Sequence, residues 1–267
     1  MTTPTPPVLD VVHYEVPPVN PSPNGLFPAT TWISDPDNRF FNGVEVRGPN
    51  YGGEDAFGTW EGHYCSVPPM GEDDQRKDGA RPDILDAFDP ITVWAYDECD
   101  PTAPSRAEVL ARAAQILRLE EQVAIEREFA NRMITDAGTP AAAATLRLAV
   151  GYIEGVLALT NTLGFIHIGA QWVATDPDLF IGNGGVKRSP MGHTWVIGGG
   201  YVDALGDTIV ATSQPYGWRN EPVTRGALDA FENNYAAIAE RTVLIGYEAL
   251  IAAATITEPE TDEPETP

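Results

Sequence analysis

Residues 105–136, SRAEVLARAAQILRLEEQVAIEREFANRMITD, decide the fold. Ser105 and Glu108 have the spacing of a capping box, in which a Ser oxygen and a Glu carboxylate accept hydrogen bonds from the free backbone N–H groups of a helix start. Leu110, Ala113, Ala114, Leu117, Ala124, Ile125, Phe129 and Met133 then recur at helical spacing. They predict one apolar stripe, interrupted at Glu120 and Glu121. Asp136, Ala137 and Gly138 close the segment. At 1.5 Å per residue the helix is about 45 Å long, well beyond the usual helix of a globular domain.

The chain on the N-terminal side of this helix has a different texture. Residues 1–104 hold 16 of the 24 prolines. In residues 1–34, prolines at 4, 6, 7, 17, 18, 21, 23 and 28 forbid helix and remove ladder donors. Yet Val8, Leu9, Val11, Val12, Tyr14, Val16, Leu26, Phe27 and Trp32 need cover. Two readings stand side by side: an arm lying on another molecule, or a strand wrapping its own domain. Under the first, deletion of residues 1–30 leaves a folded body. Residues 35–80 are rich in Gly, Asn and Asp and read as a long excursion or hairpin, with strand-like pieces at 39–47 and 57–65 around the turn chemistry of residues 48–53. Residues 91–96, ITVWAY, read as a strand.

On the C-terminal side, Thr139-Pro140 reads as the cap and first position of a second helix. Residues 164–168, 194–197, 208–211, 237–245 and 250–256 read as strands, and 170–174 as a helical turn. Residues 225–235 are helical or irregular on this reading. The tail from 257 to 267 holds five acids and no base, and reads as disordered. It is expected to be dispensable.

Composition narrows the function. The chain has 267 residues, a formal charge of −23 and a pI near 4.3. Its 16 basic residues are 14 Arg and two Lys. Such a surface repels nucleic acid, anionic membranes and other copies of itself, so any assembly must rest on buried contact area. The first residues have neither the basic region nor the apolar run of a signal peptide. No stretch reaches the roughly 20 apolar residues of a membrane span. Cys65 and Cys99 form no framework; they read as free thiols of a reducing compartment, with a Cys65–Cys99 bridge as the alternative.

Motifs that carry chemistry are missing. CxxC, HExxH, GxSxG and Walker patterns do not occur. Gly198-Gly-Gly200 lacks the spacing of a dinucleotide loop. His13, His63, His167 and His193 are widely spaced, and His167 between two isoleucines reads as a satisfied core residue. Aspartates at 35, 37, 176 and 178 have turn spacing and not calcium-loop spacing. Trp60, Tyr64, Trp94, Tyr96 and Trp218 read as anchors of protein contacts. No catalytic, cofactor or metal site is expected.

The order of textures resembles the major capsid proteins of tailed phages with the Hong Kong 97-type fold, particularly those of actinobacterial hosts. Residues 89–99 (DPITVWAYDEC), 117–129 (LRLEEQVAIEREF), 164–168 (GFIHI), 192–201 (GHTWVIGGGY) and 239–245 (AERTVLI) carry the resemblance. It implies an α+β fold with an N-terminal arm (1–34), an extended loop (35–80), a peripheral domain with the spine helix (81–138), an axial domain (139–224), returning peripheral strands (225–257) and an acidic tail (258–267). It further implies a shell subunit that partners itself in hexamers and pentamers, with scaffold, portal and decoration proteins as further partners. Packaged double-stranded DNA is enclosed without specific binding, no membrane is involved, and assembly takes place in the host cytoplasm. Inter-subunit contacts are expected at Tyr14, Trp32, Trp60, Glu120 and Glu121. The alternatives are an encapsulin-like compartment shell and a small acidic soluble hydrolase.

Overall fold

A computed structural model describes residues 12, 14–59, 77–182 and 184–257. The expected contact residue Trp60, together with Cys65 and the tail beyond residue 257, lies outside the described residues.

The long helix is present as α2, Ala103–Ala137, 35 residues without a break. Its start differs from the expected one. Thr102 is the N-cap and makes no side-chain cap bond, while Pro104 sits in the first turn, where a missing N–H costs nothing. Ser105 does not form the capping box: its hydroxyl donates to Asp100 Oδ2 at 3.0 Å. Asp100 Oδ1 also accepts from the Thr102 N–H at 2.8 Å. A carboxylate before the helix thus replaces the cap inside it. At the other end Arg132 fixes the chain laterally, donating to Asp136 Oδ2 at 2.8 Å and to the carbonyls of Ala87 and Asp86 at 3.0 and 2.7 Å.

Two sheets pack on α2. The first holds β1 (Thr31–Trp32), β2 (Ile91–Cys99), β8 (Tyr216–Arg219), β9 (Val223–Asp229) and β10 (Asn234–Gly246). The 13-residue β10 pairs antiparallel with β2 along one edge; its other edge takes β9 near its start and β8 near its end. Alternation assigns the faces: Val93, Ala95, Ala237, Ala239 and Val243 are buried in the core that includes α2, while Trp94, Tyr96 and Ile238 face out. The second sheet runs β3-β11-β7-β4-β6-β5. These are β3 (Ala141–Ala143), β4 (Phe165–Gly169), β5 (Lys187–Arg188), β6 (Thr194–Gly198), β7 (Thr208–Thr212) and β11 (Leu250–Ile256). Val196, Val210 and Ala253 belong to the α2 core. Ile166, Ile168, Trp195, Ile209, Ala252 and Ala254 belong to a second core under α3 (Leu146–Thr160).

Tertiary pairing overrides local signals in four places. Residues 141–143 are not helical, because they form a parallel pair with residues 254–256 of β11. The second helix begins later, with Thr145 as cap accepting from the Leu148 N–H at 3.3 Å. Residues 223–229, not helical either, pair with β10 from Val223↔Glu240 to Asp229↔Asn234. The expected strand at 39–47 is a 3-10 turn, Arg39–Asn42, that buries Phe40, followed by a single bridge from Val44 to Phe88. Sheet membership also crosses the expected domain boundary at 224/225: β8 lies in the first sheet and β11 in the second.

The Gly198-Gly-Gly200 run has a steric cause. It leads into the short helix α4 (Tyr201–Ala204), which crosses α2 so closely that a Cβ on Gly200 would lie 2.3 Å from the Val123 carbonyl oxygen. A Cβ on Gly199 would meet only Val123 Cγ2, at 3.6 Å. Gly200→Ala is therefore expected to destabilise the chain by about 1–3 kcal/mol, whereas Gly199→Ala stays near neutral. Paired urea denaturation curves check this, and equal losses for both variants would contradict the close crossing.

Candidate inter-subunit surface and the buried Glu126

The arm is partly intramolecular. From Val19 to α1 (Leu26–Ala29) it lies along a polar stripe of α2. Gln115 Nε2 donates to the Val19 carbonyl at 2.8 Å, and Arg118 donates to Val19 and to Asn20 Oδ1. Gln122 donates to the Asn24 carbonyl at 2.8 Å and accepts from the Phe27 N–H at 3.2 Å. The stripe ends at Glu126, which is fully buried. Its Oε1 accepts from the Leu26 N–H at 2.9 Å and its Oε2 from the Gly200 N–H at 2.8 Å. Burial pushes its carboxyl upward, and these backbone donors oppose the shift. One carboxylate so joins the arm, the long helix and the turn before α4. Gly25 is required at this crossing: its φ is +108°, and a Cβ would fall on the Gln122 side chain.

The expected contact residues separate into two groups. Tyr14 is 80% exposed, beside exposed Val12 and Val16, upstream of the point where the arm leaves α2. Glu120 is exposed on α2. Trp32 and Glu121, by contrast, engage their own chain. The Trp32 indole N–H donates to the Phe27 carbonyl at 3.2 Å, and the Arg219 guanidinium lies 4.1 Å above its ring. Glu121 has an 11% exposed side chain, with both oxygens 3.0 Å from Arg241 Nη1. Burial pushes its carboxyl up, against the pull of Arg241 and Arg219. Glu121 is thus not a solvated charge but half of an internal ion pair. It is internal because β10 passes over its turn of α2. Trp32 and Glu121 still share the wall of one open cavity of about 620 Å³.

Other apolar groups are exposed. Trp94 is 67% exposed on the outer face of the first sheet, next to Tyr96 and Ile238. Leu148, Tyr152 and Leu159 lie exposed along α3. Phe231, in the turn joining β9 to β10, is 93% exposed. The sequence had no signal for Glu126, which stands with Arg127 and Glu128 in a charged run of the helix, or for Phe231, in a segment read as helical or irregular. Arg219 and Arg241 were legible only as rare bases.

His167 is fully enclosed. Its Nδ1 is 3.0 Å from the Tyr201 hydroxyl and its Nε2 2.8 Å from Thr212 Oγ1, so both nitrogens are satisfied and no solute reaches them. His193 Nδ1 accepts from the Gly164 N–H at 3.1 Å. Among the described residues no three His, Cys, Asp or Glu side chains come together to hold a metal ion. No described helix is long and apolar enough to cross a membrane.

The fold has known counterparts. It matches the capsid of the native GTA particle with a TM-score of 0.56 and 11% identity, over 94% of this chain and 95% of that one. A structure of Microbacterium phage Oxtober96 matches with a TM-score of 0.51 and 10% identity, over 96% of each chain. The asymmetric unit of the bacteriophage PhiM1 mature capsid matches with a TM-score of 0.52 and 13% identity, over 94% and 93%. No protein-family model and no curated protein matches the sequence. At such identities the likeness is one of fold: the chain has a mixed α+β fold of the kind found in phage capsids.

Two outcomes follow. Removing residues 1–18 is expected to leave a folded body, whereas removing 1–30 deletes buried Leu26 and one donor of Glu126. This revises the expectation for the longer deletion. It should cost about 3 kcal/mol or more, read as a lower urea midpoint for the second truncation only. Burial lowers the His167 pKa to about 3, from 6.5. The unfolded chain therefore binds a proton that the folded one refuses. The stability gained from neutral His167 is full above pH 6.5 and is lost progressively as pH falls from 6.5 toward 3. Relative to His167→Gln, the wild type should lose stability across that window; parallel pH profiles would contradict the burial.

Proposed function

We propose that this chain is the major structural subunit of a phage head with the Hong Kong 97-type fold. It acts without catalysis, assembles in the host cytoplasm as hexamers and pentamers of an icosahedral shell, and encloses double-stranded DNA that it does not bind specifically. The observation that carries this reading is the shared fold over 94% of the chain with the native GTA particle capsid. In the subunit, residues 1–34 are the arm, 35–80 the extended loop, and α2 the spine between a peripheral and an axial part. Scaffold, portal and decoration proteins are its further partners.

Three features support self-association. The arm upstream of Val19 presents Tyr14 and Val16 without cover from the described residues. The outer sheet face presents Trp94 and Tyr96. With −23 charges per chain, lateral contacts must come from such apolar area, because like charge opposes them. The same charge keeps the wall from adhering to DNA.

Purified protein examined by electron microscopy and light scattering is expected to form closed particles. Their yield should rise with salt over a Debye length of about 10 Å at 0.1 M, since screening weakens repulsion and leaves apolar contact. A chain that stays monomeric at every ionic strength sinks the shell reading. Particles that dissociate as salt is added would mean that ion pairs hold the contacts. Nucleic acid recovered from native particles separates a phage head from an encapsulin-like compartment.

A further inference from the structure

β10 is built into the first sheet, but β9, paired along its edge, and the turn that joins the two strands lie at the surface. Every residue of β9 is exposed. Its turn is built, not loose: Asp229 Oδ1 accepts from the Phe231 N–H at 2.9 Å and from the Glu232 N–H at 3.1 Å, and Asn233 adopts φ +50°. The result is a held aromatic knob, Phe231, with Asp229 and Glu232 beside it and exposed Leu228 behind. An ordered turn of this kind loses little freedom on docking.

The base of the same strand borders the cavity. Thr224 and Pro222 line it, together with Phe27 and Trp32 on one side and Arg219 and Arg241 on another. Its electrostatics run against the rest of the chain. Arg118, Arg219 and Arg241 line it with one acid, Glu121, in a molecule of net charge −23. The guanidinium donors outnumber their acceptors. Among the described residues no oxygen accepts a hydrogen bond from Arg219, which is held by the Trp32 and Phe27 rings. Among the described residues the Arg241 Nε–H has no acceptor, but it is buried out of a ligand's reach, and Nη1 holds Glu121. The cavity therefore suits a ligand that is aromatic and anionic together. Its volume of about 620 Å³ leaves room for a phenyl ring with a neighbouring carboxylate.

We propose that the Phe231 knob of one copy docks in the Trp32–Arg219 cavity of a second copy, its ring against Phe27 and Trp32 and its flanking carboxylates toward Arg219 and Arg118. The occupant comes from another copy for a geometric reason. Thr224 lies near the start of β9 and Ala230 just past its end, with the strand between them paired along its length with β10, so the two are about 20 Å apart at strand rise. A chain cannot fold its own tip back into its own cavity. The contact is head-to-tail, the type that generates rings when the rotation closes. It deepens the shell-subunit reading and rests on it, adding the residues through which neighbours recognise each other.

Site-directed crosslinking in the full-length chain tests it. On a Cys65→Ser, Cys99→Ser background, Ala230→Cys places a thiol at the tip and Thr224→Cys places one at the cavity rim, with Phe231, Glu232 and Arg219 intact. After assembly, an added aromatic disulfide oxidant takes two electrons and two protons from each thiol pair. The double variant is expected to give a ladder of covalent oligomers on denaturing gels, and each single variant no more than a dimer. Adding Phe231→Ala, a change outside the core, should reduce the ladder about tenfold or more. Particles without a ladder would overturn this contact and leave the shell reading standing. A ladder without particles would support the contact and count against the shell. Neither particles nor a ladder would overturn both.

Discussion

A carboxylate without solvent has to be satisfied by its surroundings, and Glu126 imposes that constraint on the whole molecule. Left unpaired, a buried charge of this kind costs several kcal/mol. Its two oxygens are met by backbone N–H groups from Leu26, about 100 positions earlier, and Gly200, about 74 positions later. Three remote segments must therefore arrive together before any one of them is stable there. The arm cannot lie elsewhere from Leu26 onward, and the Gly200 turn must press on α2. The absence of side chains at Gly25 and Gly200 follows from the same crowding.

From that crossing the rest of the architecture follows. A helix of 35 residues has room for more than one partner, and α2 carries both the five-stranded and the six-stranded sheet. Strands of the second sheet are buried on two faces, one toward α2 and one toward α3, and so carry unbroken apolar runs such as Ile209, Val210 and Ala211. Among the described residues nothing gives the outer face of the first sheet such cover. Alternation there leaves Trp94 and Tyr96 in solvent, where aromatic groups are best placed to anchor a neighbour. The body is thus closely packed at its centre and carries exposed aromatic groups at its margins.

Charge distribution bears on the same point. Most of the surface is acidic, which weakens indiscriminate association. The arginines are concentrated where they stack on aromatic rings or pair with carboxylates: Arg132 over Phe88, Arg219 over Trp32, Arg241 on Glu121. Arginine suits these half-buried positions because its planar head stacks and forks, and is more weakly hydrated than an ammonium group. Local positive character in a negative molecule gives direction to any contact it enters, with apolar area supplying affinity and charge supplying register.

The sequence by itself determined whatever depends on short-range periodicity. The run from Leu117 through Phe129 to Met133 forces a helix, the prolines of residues 1–34 forbid one, and the enclosed His167 is announced by its two isoleucine neighbours. The lack of a known catalytic motif was legible too, while the class of the fold was implied only by the resemblance of several segments to a known family. Tertiary structure decided what depends on partners far away in the chain. Residues 141–143 have helical composition, yet β11 offers them a ladder. Residues 223–229 have weak strand character, yet β10 supplies the pairing. Glu121 looked like a surface charge until Arg241 was brought over it from 120 positions away. Local preferences amount to tenths of a kcal/mol per residue, whereas a paired strand or a satisfied buried carboxylate is worth kcal/mol, and that difference in scale is why distance in sequence gave way to proximity in space.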